Sequence, residues 1–147
     1  MSSPARALLA LVLGALLLAC GDPAQGPAKV AWGRTACEHC QMVISDRRFA
    51  TQIRLGGRVH RFDDPGCAIE WLDLQPGGGA EATELWVMDE DQQKWIDARS
   101  AFYRPGQRTP MAYGFGAVSK SEDGALDYDA FRRRIRERER PGSHPQP

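Results

Sequence analysis

Cys20 stands at the end of an apolar run, and that junction sets how much chain is left to fold. Residues 7–19 are apolar apart from Gly14 and follow the lone charge of Arg6. About 13 such residues are short for a bilayer-spanning helix and suit the apolar segment of a secretory leader. The run ends Leu17-Leu18-Ala19-Cys20, the order of aliphatic, small and cysteine residues found at a bacterial lipoprotein processing site. We expect residues 1–19 to be a signal peptide cut before Cys20, with the Cys20 thiol taking the lipid. An ordinary leader cut near Ala19 is the plainer alternative, and it leaves an odd thiol at the new terminus. Two or three acyl chains anchor stably where a single chain binds reversibly. The expected location is the cell membrane, as a lipoprotein facing the periplasm on the inner or the outer membrane.

Without the leader 128 of the 147 residues remain, one ordinary domain or two very small ones. Hydrophobic residues at 42% and charged residues at 26% are proportions of a folded soluble protein, which excludes collagen-like and wholly disordered chains. Lysine plus arginine balance aspartate plus glutamate at 19 each, and losing Arg6 leaves 18 against 19. That balance gives no global electrostatic footprint for nucleic acid. Residues 20–29 are rich in Gly, Pro, Ala and Gln without apolar periodicity and read as a lipidated, flexible tether. Residues 141–147 carry three prolines and read as a disordered tail, with His144 a solvated bystander. The folded domain is expected over 30–140.

Within those limits the pattern is one of short strands and short helices. Val43-Ile44, residues 49–55 and residues 58–62 read as strands, with a hairpin turn at Gly56-Gly57. Asp63-Asp64-Pro65 is a helix start, since a carboxylate caps free amides and proline suits the first turn. That helix carries Cys67, Ile69, Trp71, Leu72 and Leu74 before Gln75-Pro76-Gly77-Gly78-Gly79 stops it. A second round has strands at 85–88 and at Trp95-Ile96, then a short turn from Asp97 through Phe102. Residues 111–118 should be extended and residues 127–140 helical. The last helix bears six arginines around a thin Phe131 and Ile135 stripe, the pattern of a surface helix docked on one side, with anionic lipid contact as the functional alternative. The expected class is α+β, built from two small ββα-type halves.

The chemistry concentrates in Cys37-Glu38-His39-Cys40-Gln41-Met42, where two thiols, an imidazole and a thioether fall close together. A disulfide oxidoreductase uses Cys-x-x-Cys at a helix start, where the dipole lowers the thiol pKa. Here Met42-Val43-Ile44-Ser45-Asp46 follows, which favours strand and turn. A structural zinc site has only Cys67 and His60 to complete Cys37 and Cys40, without a second Cys-x-x-Cys. Haem attachment of the c type requires histidine directly after the second cysteine, and position 41 is Gln. Cys40-x-Met42 is different, because thiolate and thioether are soft ligands that select Cu(I) over Zn(II). On an extended segment alternate residues share a side, so both can bind one ion.

The ordered set of Leu17-Leu18-Ala19-Cys20, Cys37-x-x-Cys40-Gln41-Met42-Val43-Ile44-Ser45-Asp46, Phe62-Asp63-Asp64-Pro65-Gly66-Cys67, Trp95-Ile96-Asp97-Ala98 and Thr109-Pro110-Met111-Ala112-Tyr113-Gly114 resembles the NosL family of nitrous oxide reductase accessory lipoproteins. The likeness runs over residues 37–128, some 92 of the 128. It implies a fold of two ββα-type halves related to that of alkylmercury lyase. It also implies a membrane-anchored Cu(I) metallochaperone without catalytic turnover, serving the copper centres of a periplasmic cuproenzyme such as nitrous oxide reductase, together with its assembly proteins, in denitrification. The family's copper ligands carry over to Cys40, Met42 and, through the Thr-Pro-Met segment, Met111.

A thiolate with one or two thioethers excludes hard ions and leaves a coordination position for a partner's ligand, which transfer by ligand exchange requires. Met111 lies between Pro110 and Gly114, on an irregular segment. Met88 ends an apolar strand and reads as core. Three roles stand open for Cys37: a further ligand, a disulfide partner of Cys40, or a spectator. His39 is a further candidate ligand, although an imidazole beside Cys40 would point away from the Cys40 and Met42 side. His60, in a hairpin strand, reads as structural, and Cys67 as a buried structural thiol on the apolar side of its helix. Two other functions compete with copper delivery. One is a periplasmic thiol-disulfide oxidoreductase using Cys37 and Cys40. The other is organomercurial or metal-detoxifying chemistry using the cysteines and the Asp63-Asp64 pair, although helix capping already explains those carboxylates.

Overall fold

The computed structural model describes residues 22–138. The expected leader, the expected lipidation residue Cys20, the tail over 141–147 and the last two residues of the expected arginine-rich helix lie outside the described residues. A four-stranded antiparallel sheet has the order β2-β1-β3-β4, from β1 (Thr51–Leu55), β2 (Arg58–Phe62), β3 (Glu84–Met88) and β4 (Trp95–Asp97). A second, two-stranded sheet pairs β5 (Phe102–Pro105) with β6 (Phe115–Val118). Helix α1 (Pro65–Asp73) follows the first hairpin, and helix α2 (Tyr128–Arg138) follows the last. The class is α+β: β1-β2-α1 and β5-β6-α2 are the two ββα units, and the β3-β4 hairpin between them extends the first sheet.

The hairpin forms where the glycines allow it. Gly56 and Gly57 take φ of 58° and 77°, and Leu55 pairs directly with Arg58 across them. Asp64 then caps α1 by accepting from the Gly66 amide at 2.9 Å, and Pro65 fills the first helical position, where no amide is needed. Val43 and Ile44 do not form a strand proper: Val43 makes an isolated antiparallel bridge to Ala36. Residues 47–49 form a short 3-10 turn capped by Asp46, so β1 begins at Thr51 rather than Phe49. Residues 109–114 turn instead of extending, and only Phe115–Val118 is strand.

One face of the large sheet meets α1. Ile53, Phe62, Leu85 and Val87 share a core with Cys67, Ile69 and Leu72, and Phe131 and Ile135 of α2 join it from the smaller sheet. Phe131 stacks on Tyr103 with ring centroids 3.9 Å apart and meets Phe115 edge-on at 5.3 Å. Gln52 and Arg54, which alternate with apolar neighbours, point to the other face. Both are buried there, because residues 22–29 lie across them. Gln52 accepts from the Ala28 amide and donates to the Ala28 carbonyl, both at 2.8 Å. Arg54 donates to the carbonyls of Pro23 and Gly26 and pairs with Glu84 at 3.0 Å. The described part of the expected tether is thus docked. Composition suggested a flexible chain, but its backbone groups find partners on the sheet. Among the described residues no helix is long and apolar enough to cross a membrane.

Candidate metal centre

The cysteine loop is the tip of an irregular hairpin. The Ile44 amide donates to Thr35 at 2.9 Å, Ala36 bridges Val43, and the Cys37 amide donates to the Met42 carbonyl at 2.8 Å. Inside it the Gln41 amide donates to the Cys37 carbonyl at 3.0 Å, closing one helical turn without a helix. Cys37 and Cys40, three apart on that turn, therefore face the same way. The turn ends because Gln41 adopts a left-handed conformation with φ of 64°. That breaks the extended alternation expected to align Cys40 with Met42. Met42 and Val43 emerge at the surface, 51% and 49% exposed. The loop is pinned to the sheet by the Glu38 amide, which donates to the Arg61 carbonyl of β2 at 2.9 Å.

What the loop faces is the N-terminal end of α1. The Cys40 thiol sits 3.4 Å from both carboxylate oxygens of Asp63. The ligand atoms of Cys37, Cys40, Asp63 and Cys67 all lie within 4.8 Å of one another. Cys37 and Cys67 are wholly buried and Asp63 nearly so, while Cys40 is half-buried, so the cluster runs from the core to the surface through Cys40. From sequence Cys67 was weighed for zinc and metal detoxification and Asp63 for detoxification alone, and neither stood among the expected copper ligands. A signal was there: Asp64 alone caps the helix, which leaves the neighbouring Asp63 without a helical task.

Crowding three thiols distributes charge unevenly. The Cys67 thiol donating to Cys37 is the largest influence on Cys37 and, against the effect of burial, brings it down to about 6. Cys67, as that donor and buried as well, is pushed up. Cys40 is pushed up to about 12, chiefly by burial, with Cys37 and Asp63 adding negative charge nearby and the Met42 amide acting the other way. Of the three, Cys37 at the inner end is the one whose thiolate its neighbours favour. All three cysteines are free thiols. Three sulfurs and a carboxylate this close together suit a soft cation.

The remaining candidates sit around this core. Met111 lies half-buried on the 109–114 turn, where its amide donates to Asp64 at 3.1 Å, so the turn reaches the same end of α1. Tyr113 from that turn packs against Gly66: a Cβ there would lie 2.0 Å from the Tyr113 ring. The Tyr113 hydroxyl donates to Glu70, and Glu70 also holds His39 Nε2 at 3.0 Å. His39 is therefore engaged with α1 beside the thiols rather than with them. His60 packs against Trp71, their tilted rings 4.4 Å apart, and Met88 and Cys67 are buried as expected. Arg138 of α2 donates to the Ala112 carbonyl at 2.7 Å and lies over the Tyr113 ring at 5.1 Å, fastening the Met111 turn from outside.

No protein-family model matches the chain, and no curated protein does. Among solved structures it is similar to the copper chaperone NosL from Shewanella denitrificans, with a TM-score of 0.55 and 22% identity over 74% of this chain and 86% of that one. The fold is NosL-like.

Proposed function

We propose that the protein is a copper carrier: it binds one Cu(I) at the cysteine loop and passes it by ligand exchange to a copper-accepting cuproenzyme, without catalysing a reaction. The observation that carries this reading is the cluster of three thiols and a carboxylate within 4.8 Å, reaching the surface through Cys40. Soft sulfur donors favour Cu(I). The thioether of Met42 stands exposed beside Cys40, and Met111 comes to the same end of α1, so both are the ligands by which an ion enters and leaves. His39 orients the loop through Glu70. The similar structure's name, a copper chaperone, agrees with this reading. The client we propose is nitrous oxide reductase during its maturation, and the anchor is a lipid on Cys20 at the periplasmic side of the membrane. A dithiol oxidoreductase is disfavoured by one observation: Cys37 is wholly buried and opens no helix.

Anaerobic titration of the reduced chain with Cu(I), against a competing chelator, tests the proposal. One Cu(I) per chain is expected, lost in Cys40→Ser and weakened about tenfold in Met42→Ala and in Met111→Ala. Dithiol-disulfide exchange activity that persists without either methionine, combined with an absence of Cu(I) competition, would overturn it.

A further inference from the structure

Resting on the copper reading, we infer that Cys67 and Cys37 form, with Cys40, an inner three-sulfur position for the ion beneath the exposed methionine. Cys40 is the shared member: its thiol touches Asp63 on the inside, and its loop neighbour Met42 is at the surface on the outside. A metal–sulfur bond of about 2.3 Å puts three sulfurs around one ion about 4 Å apart. The three thiols already lie within 4.8 Å of one another, so a contraction of at most about 0.8 Å closes the position. Its parts come from separate elements that are each fixed: Cys37 by its amide on Met42, Cys67 by the first turn of α1. Copper stays Cu(I) throughout. Each sulfur that binds gives any proton it carries to solvent and regains one when the ion leaves, so no oxidant or reductant takes part. The ion rests inside, out of reach of water, and moves outward over Cys40 to the thioethers when a partner's ligand approaches.

The test removes the outer ligands and keeps the inner ones. In the full chain carrying Met42→Ala and Met111→Ala together, Cu(I) should still bind one per chain, weaker than wild type by no more than about a hundredfold. X-ray absorption should show three sulfurs at about 2.3 Å. Adding Cys67→Ser to that variant should abolish binding, with Cys67→Ala and circular dichroism as the check that the core survives. A double methionine variant as empty as Cys40→Ser would overturn the inner position and leave a site made of Cys40 and the methionines. Binding by the triple variant equal to that of the double variant would remove Cys67 from it. Wild-type chain that holds no Cu(I) sinks the copper reading and this inference with it.

Discussion

A single backbone angle decides how the sulfur ligands are shared out. The Cys40-x-Met42 spacing was legible, and so was the softness of its ligands, but extended alternation was not the geometry that resulted. With Gln41 at φ of 64° the two side chains part company, Cys40 towards the core and Met42 towards solvent. A lone non-glycine residue in that conformation leaves no mark that distinguishes it from its extended neighbours. Gln41→Gly should be tolerated, raising stability or leaving it within about 1 kcal/mol, as chemical denaturation would show. Gly66 is the opposite case. Its missing Cβ is where the Tyr113 ring lies, so Gly66→Ala should cost about 1–3 kcal/mol in urea denaturation. The loss should be less than additive with Tyr113→Ala, because the second change removes the obstruction.

At the level of elements, the parts that could be read were those with local causes. The Gly56-Gly57 hairpin and the Asp64-Pro65 helix start depend on neighbours a few residues away, and both stand as expected. β5 was missed because Phe102–Pro105 is short, ends in proline and pairs with residues 115–118 across the Met111 turn. Helix α2 was read as docked on one side, and its aromatic face shows that; what its arginines do was not readable. Arg132 and Arg136 both bond Asp73 at the end of α1. Burial alone would raise the Asp73 carboxyl, but the two guanidiniums outweigh it and hold it below the usual carboxylate range. A depressed carboxyl adds stability that is complete above its unfolded value, about 4, and is lost as pH falls through the lower folded value. Asp73→Asn should therefore cost roughly 1–2 kcal/mol at neutral pH and progressively less as pH falls below about 4. Thermal unfolding of both chains across that range checks it. Arg138→Ala should loosen the Met111 turn and weaken Cu(I) binding several-fold, adding little on top of Met111→Ala in a double-mutant cycle.

Taken as one body, the protein includes a segment that composition assigned to a tether. Nothing in Gly, Pro, Ala and Gln announces docking, since its partners Gln52 and Arg54 lie far along the chain and would pass for the wet face of a strand. Gln52→Ala would strand the Ala28 amide and carbonyl, so a loss of about 1–3 kcal/mol is expected. Faster limited proteolysis within residues 22–30 would accompany it, whereas cleavage at the wild-type rate would mean that the segment was never held. Arg61 ties this segment to the thiols: its guanidinium meets Asp22 at 2.6 Å and its carbonyl receives the amide of Glu38, the residue after Cys37. With Cys20 lipidated as proposed, Gly21 alone separates the anchor from the docked chain, a span of at most about 7 Å. On that proposal the body would not tumble at the end of a leash but drift in the plane of the bilayer with one side turned down. Handing over copper would then be an encounter in two dimensions with a receiver confined to the same surface, at a local concentration that free diffusion does not provide.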